Sequence, residues 1–342
     1  MPFPVALTRW SVALQVSGVQ AFIPQMVNGF VFSQMLNKPD TVQFQVPGDH
    51  NILNFLVENS TDILVWRGAT LRFRGRLLSL DDTVDDQDHY TVQCTAADYS
   101  QLLQTRMVPE PGLSYNLVDQ AQIVWQLIQA TQAQTSGNLG ITAGTLTGGG
   151  INRIRNWLPG PPYIGKLIDD MHDNLNGFDW WIDELLRLQV RSPRRVRNLS
   201  NNLTYPKGNI KAFSRGSTAA QFRNVIRETG EPVTTPVYAT ALPDTRGRFE
   251  LSEGNPGMVD QSALAERAPG VLAQRQNPRA TYIITLQDGV YGTQFTSDLG
   301  DLMNVQIRRG RLNVNALHRI MEQRFTIGNN GSERVQMAVL AE

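Results

Sequence analysis

A single cysteine, Cys94, is all the thiol the sequence holds. One cysteine excludes an internal disulfide framework and a cysteine-built zinc site. It fits folding in a reducing compartment. An excess of one charge is lacking too, since thirty-one basic residues balance thirty-one acidic ones. A bulk binder of nucleic acid or another polyanion carries surplus positive charge, and here there is none. No stretch approaches eighteen continuous apolar residues, the length a membrane-crossing helix needs, and the N-terminus shows no apolar leader. The expectation is a soluble chain with no membrane segment, not exported by the usual signals. The sequons at Asn59, Asn198, Asn202 and Asn330 then read as chance. Histidines are few: His50, His89, His172 and His318 share no motif with a serine or with Cys94.

What is present is apolar patterning over 342 residues, 41% of them apolar, enough for two or three domains. The first hundred residues alternate with period two. Val42, Phe44 and Val46 oppose Thr41, Gln43 and Gln45; Leu71, Phe73 and Leu77 oppose Arg72, Arg74 and Arg76; Tyr90, Val92, Cys94 and Ala96 oppose Thr91, Gln93 and Thr95. Each run predicts a strand with one dry face. Trp10–Val16 and Phe30–Leu36 are expected to join them, with short helices over Asn51–Val57 and from Asp98 to Gln104. The period then changes. Leu117, Ala121, Val124, Trp125 and Ile128 predict a helix over Tyr115–Thr131. Ile164, Leu167, Ile168, Met171 and Leu175 predict a second, with Gly177 where a helix ends. Phe178–Ile182 and Leu186–Arg191 read as a hairpin. Strands resume at Ile210–Ser214 and Asn224–Glu228. The stretch from Pro232 to Pro256 reads as a long loop, and Gln261–Gln274 as a helix weakened by Pro269-Gly270. Thr281–Leu286, Met303–Ile307, His318–Ile320, Phe325–Ile327 and Val335–Leu340 close the chain as strands. A Leu299-Gly300-Asp301 corner and a Gly328–Gly331 turn lie between them. The predicted fold class is α+β: two small antiparallel β-barrels, residues 1–104 and 206–342, with an α/β insertion at 105–205. The second barrel mimics the first in kind without a clean sequence repeat.

Six features could carry chemistry. Asp81, Asp82, Asp85, Asp86 and Asp88 form the densest acidic run. A calcium loop also needs a glycine for the bend and a later bidentate carboxylate. Both are missing, so the run reads as a solvated hairpin. Asp169, Asp170 and Asp173 flank His172, but a metalloprotease helix carries two histidines four apart. These residues read as a solvated helix face. Gly148-Gly149-Gly150 has no following Gly-Lys-Ser/Thr and reads as a flexible loop; Cys94 alternates with Val92 and Ala96 and reads as core. Two arginine clusters, Arg191, Arg194, Arg195, Arg197 and Arg308, Arg309, Arg311, suit either DNA phosphates or a neighbour's acidic surface such as the Asp81–Asp88 loop. Zero net charge favours the protein partner. Trp180 and Trp181 are consecutive and so point to opposite faces of a strand. One is core. The other is exposed or covered by a partner, since large aromatics anchor interfaces, or else covered by a second sheet or helix of this chain. No catalytic, cofactor-binding or metal residue is assigned, and no cofactor is expected.

Several phrases then line up with a known family. Trp66-Arg67-Gly68 followed by Leu71–Leu77, the run from Val92 through Asp98-Tyr99 to Arg106, the Ile164–Asp183 segment and the Leu299-Gly300-Asp301 corner come in one order along nearly the whole chain. Together they resemble the hub proteins of phage tail tips and baseplates, found as minor tail proteins or as the N-terminal part of tail-associated lysins. The resemblance implies a structural virion protein at the tail tip, assembled in the host cytoplasm, with no enzymatic activity. It implies a homotrimer in which three chains with two barrels each make a pseudo-sixfold ring. That ring would join a distal tail protein ring of sixfold symmetry to a threefold tip, next to the tape measure protein and central fibre or tip proteins. DNA would pass through it without sequence-specific binding. Any lytic or receptor-binding module would be another polypeptide. Two alternatives stand beside this: a receptor- or glycan-binding minor tail protein working through Trp180 or Trp181, and a cell-wall hydrolase, which would need a carboxylate pair in a cleft.

Overall fold

The computed structural model describes residues 10–16, 19–23, 27–192, 197–216, 222–230, 235–255, 260–276, 280–292, 296–328 and 332–341. Arg194, Arg195, most of the Gly328–Gly331 turn, the start of the Asn330 sequon and parts of the 232–256 stretch lie outside them.

The period-two runs are strands. β1 (Trp10–Val16), β2 (Val19–Phe22), β3 (Val27–Met35), β4 (Thr41–Pro47), β5 (Asp62–Arg67), β6 (Thr70–Val84) and β7 (Tyr90–Asp98) lie in the spatial order β3-β4-β7-β6-β5-β1-β2. Val42, Phe44, Val46, Phe73, Leu77, Val92 and Cys94 all point into one core. A 3-10 turn, Asn51–Phe55, follows β4, capped by His50.

After β7 comes a segment with its own hydrophobic core. It runs through α1 (Tyr99–Leu103), β8 (Met107–Val108), β9 (Leu113–Asp119), α2 (Gln120–Gln132), β10 (Thr142–Thr147), β11 (Asn152–Trp157), β12 (Gly160–Tyr163), α3 (Ile164–His172), β13 (Asp179–Ile182) and β14 (Arg187–Arg191). The predicted Tyr115–Thr131 helix starts five residues late. Residues 113–119 pair with β11 instead, Leu117 takes a left-handed φ of 53° and lies exposed, and the Asp119 carboxylate accepts the Ala121 amide to cap α2. The predicted α3 and its hairpin, β13 against β14, are present. Gly148–Gly150 is a packed turn: the Gly148 carbonyl accepts from Gln120 and the Ile151 amide, and Gly149 sits against Ser192.

The chain re-enters the first sheet with β15 (Asn198–Tyr205) and β16 (Ile210–Gly216). A small unit follows: β17 (Val225–Gly230), β18 (Val237–Thr240) and β19 (Glu250–Asn255), covered by α4 (Gln261–Arg275). The stretch expected as a loop therefore holds two short strands pairing either side of β17. They are only four and six residues long and bury little, which hid them. β20 (Thr281–Leu286), β21 (Leu302–Arg309), β22 (Leu312–Ile327) and β23 (Glu333–Ala341) finish the chain. His318–Ile320 and Phe325–Ile327, predicted as separate strands, are parts of the long β22.

The two ends of the chain share one thirteen-stranded sheet and one core. The joint is β22 on β3, where Phe325 faces Phe32 and their rings stack 5.9 Å apart. The sheet curls, so Trp10 of β1 packs on Phe325 and donates to Glu333 of β23, which Arg67 of β5 also grips at 2.7 Å.

The sheet contains an internal structural repeat. The block β3-β4-β7-β6-β5-β1 has the same order as β16-β20-β23-β22-β21-β15. Both blocks turn on a two-residue hairpin loop entered from an arginine, Gly68-Ala69 after Arg67 and Gly310-Arg311 after Arg309, with φ of 61° and 57° at the glycines. The long strands β6 and β22 each carry a bulge at the same place, against β7 and β23, and β6 has a second against β5. In β6 the pairing jumps from Leu77↔Ala96 to Ser79↔Thr95, and in β22 from Ile320↔Val339 to Glu322↔Ala338. The sixth strand differs: β1 lies antiparallel to β5, β15 parallel to β21.

Candidate functional site

A cavity of about 120 Å³ lies where the β3–β4 turn, β6, β13 and the Leu299-Gly300-Asp301 corner meet. Asn37, Asp40, Arg72, Asp98, Trp181 and Glu184 are among its walls. Asn37 sits at the tip of the β3–β4 turn with φ 58°, a conformation asparagine tolerates better than most residues. Its side-chain oxygen accepts the Trp180 amide at 2.9 Å, and its nitrogen donates to Asp179 at 3.0 Å. Asp179 is fully buried and paired with Arg319 of β22. Asp40 accepts from Gln34 and the Met35 amide, and its own amide donates to Asp98 at 3.1 Å. Asp98 also caps α1 through the Ser100 amide. Burial, then the neighbouring Asp98, holds the Asp40 carboxyl well above the usual carboxylate range, and burial lifts Asp98 to about 6.

Two carboxyls with raised affinity for protons in a cavity resemble an acid–base pair. Their hydrogen bonds run to backbone amides and caps, which is the pattern of a joint. None of Asn37, Asp40, Asp98, Asp179 and Arg319 was singled out from sequence. The visible signal was the Asp98-Tyr99 strand-to-helix phrase, since an aspartate ahead of a helix is a cap.

The Asp169–Asp173 group is not the solvated face its spacing suggested. Asp170 is buried and bound by Lys166 and by Arg267 at 2.8 Å. Burial lifts Asp169 to about 6, with Gln104 donating to it. His172 contacts Asn37 at 3.2 Å and the Phe178 carbonyl. The cause is α4, which packs on this face and brings Arg267 into reach of Asp170, Glu253 at 3.1 Å and the fully buried Glu228 at 3.5 Å. In return Glu266 of α4 accepts from Arg153 at 2.7 Å and Arg155 at 2.6 Å, both arginines being buried. Asp170, Glu228, Arg153, Arg155 and Arg267 each meet an opposite charge, as burial demands.

The other candidates separate. Asp81, Asp82, Asp85, Asp86 and Asp88 are exposed on the β6–β7 hairpin, as expected. Arg308, Arg309 and Arg311 are exposed at the β21–β22 turn. Arg197 is committed to the fully buried Asp301 at 2.6 Å, and Arg191 lies over the Trp181 ring at 5.5 Å. Trp180 is the core tryptophan; Trp181 is half-buried. Cys94 is fully buried, and desolvation pushes its thiol up to about 12, far from a nucleophile. Among the described residues no three His, Cys, Asp or Glu side chains could hold a metal ion together.

No protein-family model and no curated protein matches the chain. Solved structures do. The 43 kDa tail protein of prophage MuSo2 from Shewanella oneidensis shares 12% identity at a TM-score of 0.67, over 97% of this chain and 98% of that one. The tail protein from Neisseria meningitidis MC58 shares 12% at 0.65, over 97% and 96%. This chain has the phage tail-protein fold. A third match is the Escherichia coli c3393 protein, described as a type VI secretion system component with structural similarity to the T4 tail proteins gp27 and gp5. It shares 11% at a TM-score of 0.54, over 96% of this chain and 76% of that one. Within this tail-protein fold the quoted phrases fall on β5–β6, on β7 into α1, on α3 into β13, and on the corner before β21. All four border the cavity.

Proposed function

We propose that this chain is a structural virion protein, the trimeric hub of a phage tail tip. The observation that carries the reading is the internal repeat within a tail-protein fold matched from end to end. A chain with two equivalent blocks lets three copies present six, which is what a joint between sixfold and threefold rings needs. In this reading each block is one tube-like barrel and the segment between β7 and β15 is an insertion. The ring contacts the distal tail ring, tape measure protein and central tip proteins, and DNA leaves through its channel. The acid–base and metal groups required of a hydrolase are tied up in joints or solvated hairpins, so the chain is read as a non-enzyme. The glycan-binding alternative loses Trp180 to the core.

Native mass of the purified chain, taken over a range of concentrations, tests the reading. Three copies in a closed particle are expected. A monomer at high concentration, together with virions lacking a threefold ring, would overturn it. No hydrolysis of cell-wall glycan or peptide is expected, with or without divalent metal. Turnover abolished by one Asp or Glu substitution would reveal a site.

A further inference from the structure

The two halves of the sheet are joined once within the chain. The end of β22 lies antiparallel on β3, with Glu322↔Met35, Arg324↔Ser33, Phe325↔Phe32 and Thr326↔Val31 opposite one another. The internal repeat makes β6 the counterpart of β22 and β16 the counterpart of β3. Those two counterparts do not meet in this chain. β5 pairs with β6 only over Thr70–Arg76, so beyond it the end of β6 has β7 on one side alone. Among the described residues β16 ends the sheet, paired to β20 only. Each is an unpaired strand edge, the kind of surface that recruits another strand. One amide of the β6 edge, that of Leu80, is held by the Glu58 carboxylate.

We infer that the end of β6 in one copy pairs antiparallel with β16 of a second copy, repeating between chains the β22–β3 joint made within each chain. The register follows from the ladders. The bulges set Ser79 equivalent to Glu322, and therefore Asp82 to Phe325 and Thr83 to Thr326. Phe32 faces Val42, whose partner is Ala96; Arg215 faces Tyr282, whose partner is Val339. Ala96 and Val339 are the residues opposite Leu77 and Ile320, so Arg215 is equivalent to Phe32. Transferring the pairing places Asp81 opposite Gly216, Asp82 opposite Arg215, and Thr83 opposite Ser214. One step further Val84 meets Phe213.

The chemistry of this transferred register was not used to find it, and it is complementary. Asp82 and Arg215 are opposite charges in directly facing positions, both exposed in the single chain. Val84, 59% exposed, meets the half-buried Phe213 on the same face. Opposite charges and apolar pairs are what cross-strand neighbours favour. The contact is head-to-tail: β6 of one copy on β16 of the next. It therefore closes a ring or runs on as a filament. Only the copy number, three, rests on the hub reading above.

The test uses the full-length chain carrying Asp82→Cys and Arg215→Cys, oxidised mildly at a concentration where native mass shows assembly. Facing strand positions hold Cα atoms about 4.5–5.5 Å apart, within the span of a disulfide. A ladder of linked copies is expected, and none from a control with Asp86→Cys and Arg215→Cys. Equal ladders from both, or none from either, overturn the pairing. Charge exchange gives a second reading that does not depend on oxidation. Asp82→Arg alone is expected to weaken each junction about fivefold, and so a ring of three by about a hundredfold; adding Arg215→Asp restores assembly. Failure of the double exchange to restore it also overturns the pairing. The outcomes separate the two ideas. A three-copy particle without linkage sinks this register and leaves the hub reading standing. Linkage in particles of another size supports the register and sinks the trimer. A chain that stays monomeric sinks both.

Discussion

Gly300 stands at φ 84° and donates its amide to the Ile320 carbonyl at 2.8 Å. Beside it Asp301, fully buried, accepts from Arg197 and from the Asp298 amide. The corner is thus a left-handed turn locked by a carboxylate. Gly300→Val puts a β-branched residue where side chains clash with backbone, and a loss of about 2 kcal/mol or more is expected. Urea unfolding reads it; an unchanged midpoint with normal assembly would contradict it. Asp169 offers a test of the buried face of α3. Its carboxyl is raised to about 6, chiefly by burial. The folded state therefore holds the proton more tightly than the unfolded chain, whose ordinary value is near 3.9. Stability from this group is fully present below about pH 4 and is lost as pH rises through about 6. Asp169→Asn removes the charge and keeps an acceptor for Gln104. It should match the parent near pH 4 and exceed it by about 1–2 kcal/mol at pH 7. A constant difference across that range would refute the assignment. The spacing of Asp169, Asp170 and Asp173 could not reveal this. Arg267, the partner of Asp170, lies nearly a hundred residues on, and helical periodicity describes a face without saying what covers it.

Elements with one dry face and one wet face were legible: β4, β6, β7 and α3 stand close to where alternation or helical spacing put them. Elements whose partners decide their shape were not. β9 carries helix-compatible apolar spacing but is claimed by β11, and β18 and β19 are short strands with little to bury. α4 was legible as a helix, and its Pro269-Gly270 looked like a flaw. The structure gives both residues a use. Proline removes one intrahelical hydrogen bond, and nearby the Glu266 carbonyl accepts the Leu175 amide from the segment that follows α3. Gly270 lets that segment approach: a Cβ there would lie 2.3 Å from the Asp173 carbonyl oxygen and 2.7 Å from Asn174 backbone. Gly270→Ala must therefore push α4 away, lengthening the Arg267–Asp170 and Glu266–Arg153 contacts together. Undocking leaves buried charges unpaired, which costs on the order of 3 kcal/mol. Hydrogen exchange should show faster exchange in α4 and in the Asp173–Leu175 turn, with β1–β7 unaffected. Unchanged protection in α4 would mean the close approach is not needed.

At the scale of the molecule, the repeat was legible in kind and not in detail. The Arg-Gly hairpins survive in both blocks, while residues at equivalent places, such as Asp82 and Phe325, have nothing in common. That difference has a physical reason. Phe325 faces Phe32 inside one chain, whereas Asp82 is at an edge exposed to solvent until a partner covers it. Covalent continuity lets the first joint be apolar, because its two halves are never apart. An edge that waits for a partner must stay soluble in the meantime, and charge serves that purpose. The apolar joint should then govern cooperativity. Phe325 packs its ring on Trp10 at 5.3 Å, Phe32 at 5.9 Å and Tyr291 at 5.2 Å, drawing on both blocks. The parent chain is expected to melt its two blocks together in calorimetry, since neither has a core of its own. Phe325→Ala removes the shared ring, with an expected loss of about 3–5 kcal/mol. If β22 couples the blocks, the loss should appear as a lower single transition for both, read by probes placed in β4 and in β20. If the blocks instead melt separately in the parent, or only the β20 probe shifts in the variant, then the sheet is continuous in geometry but not in energy. Each block would then be a unit that folds alone.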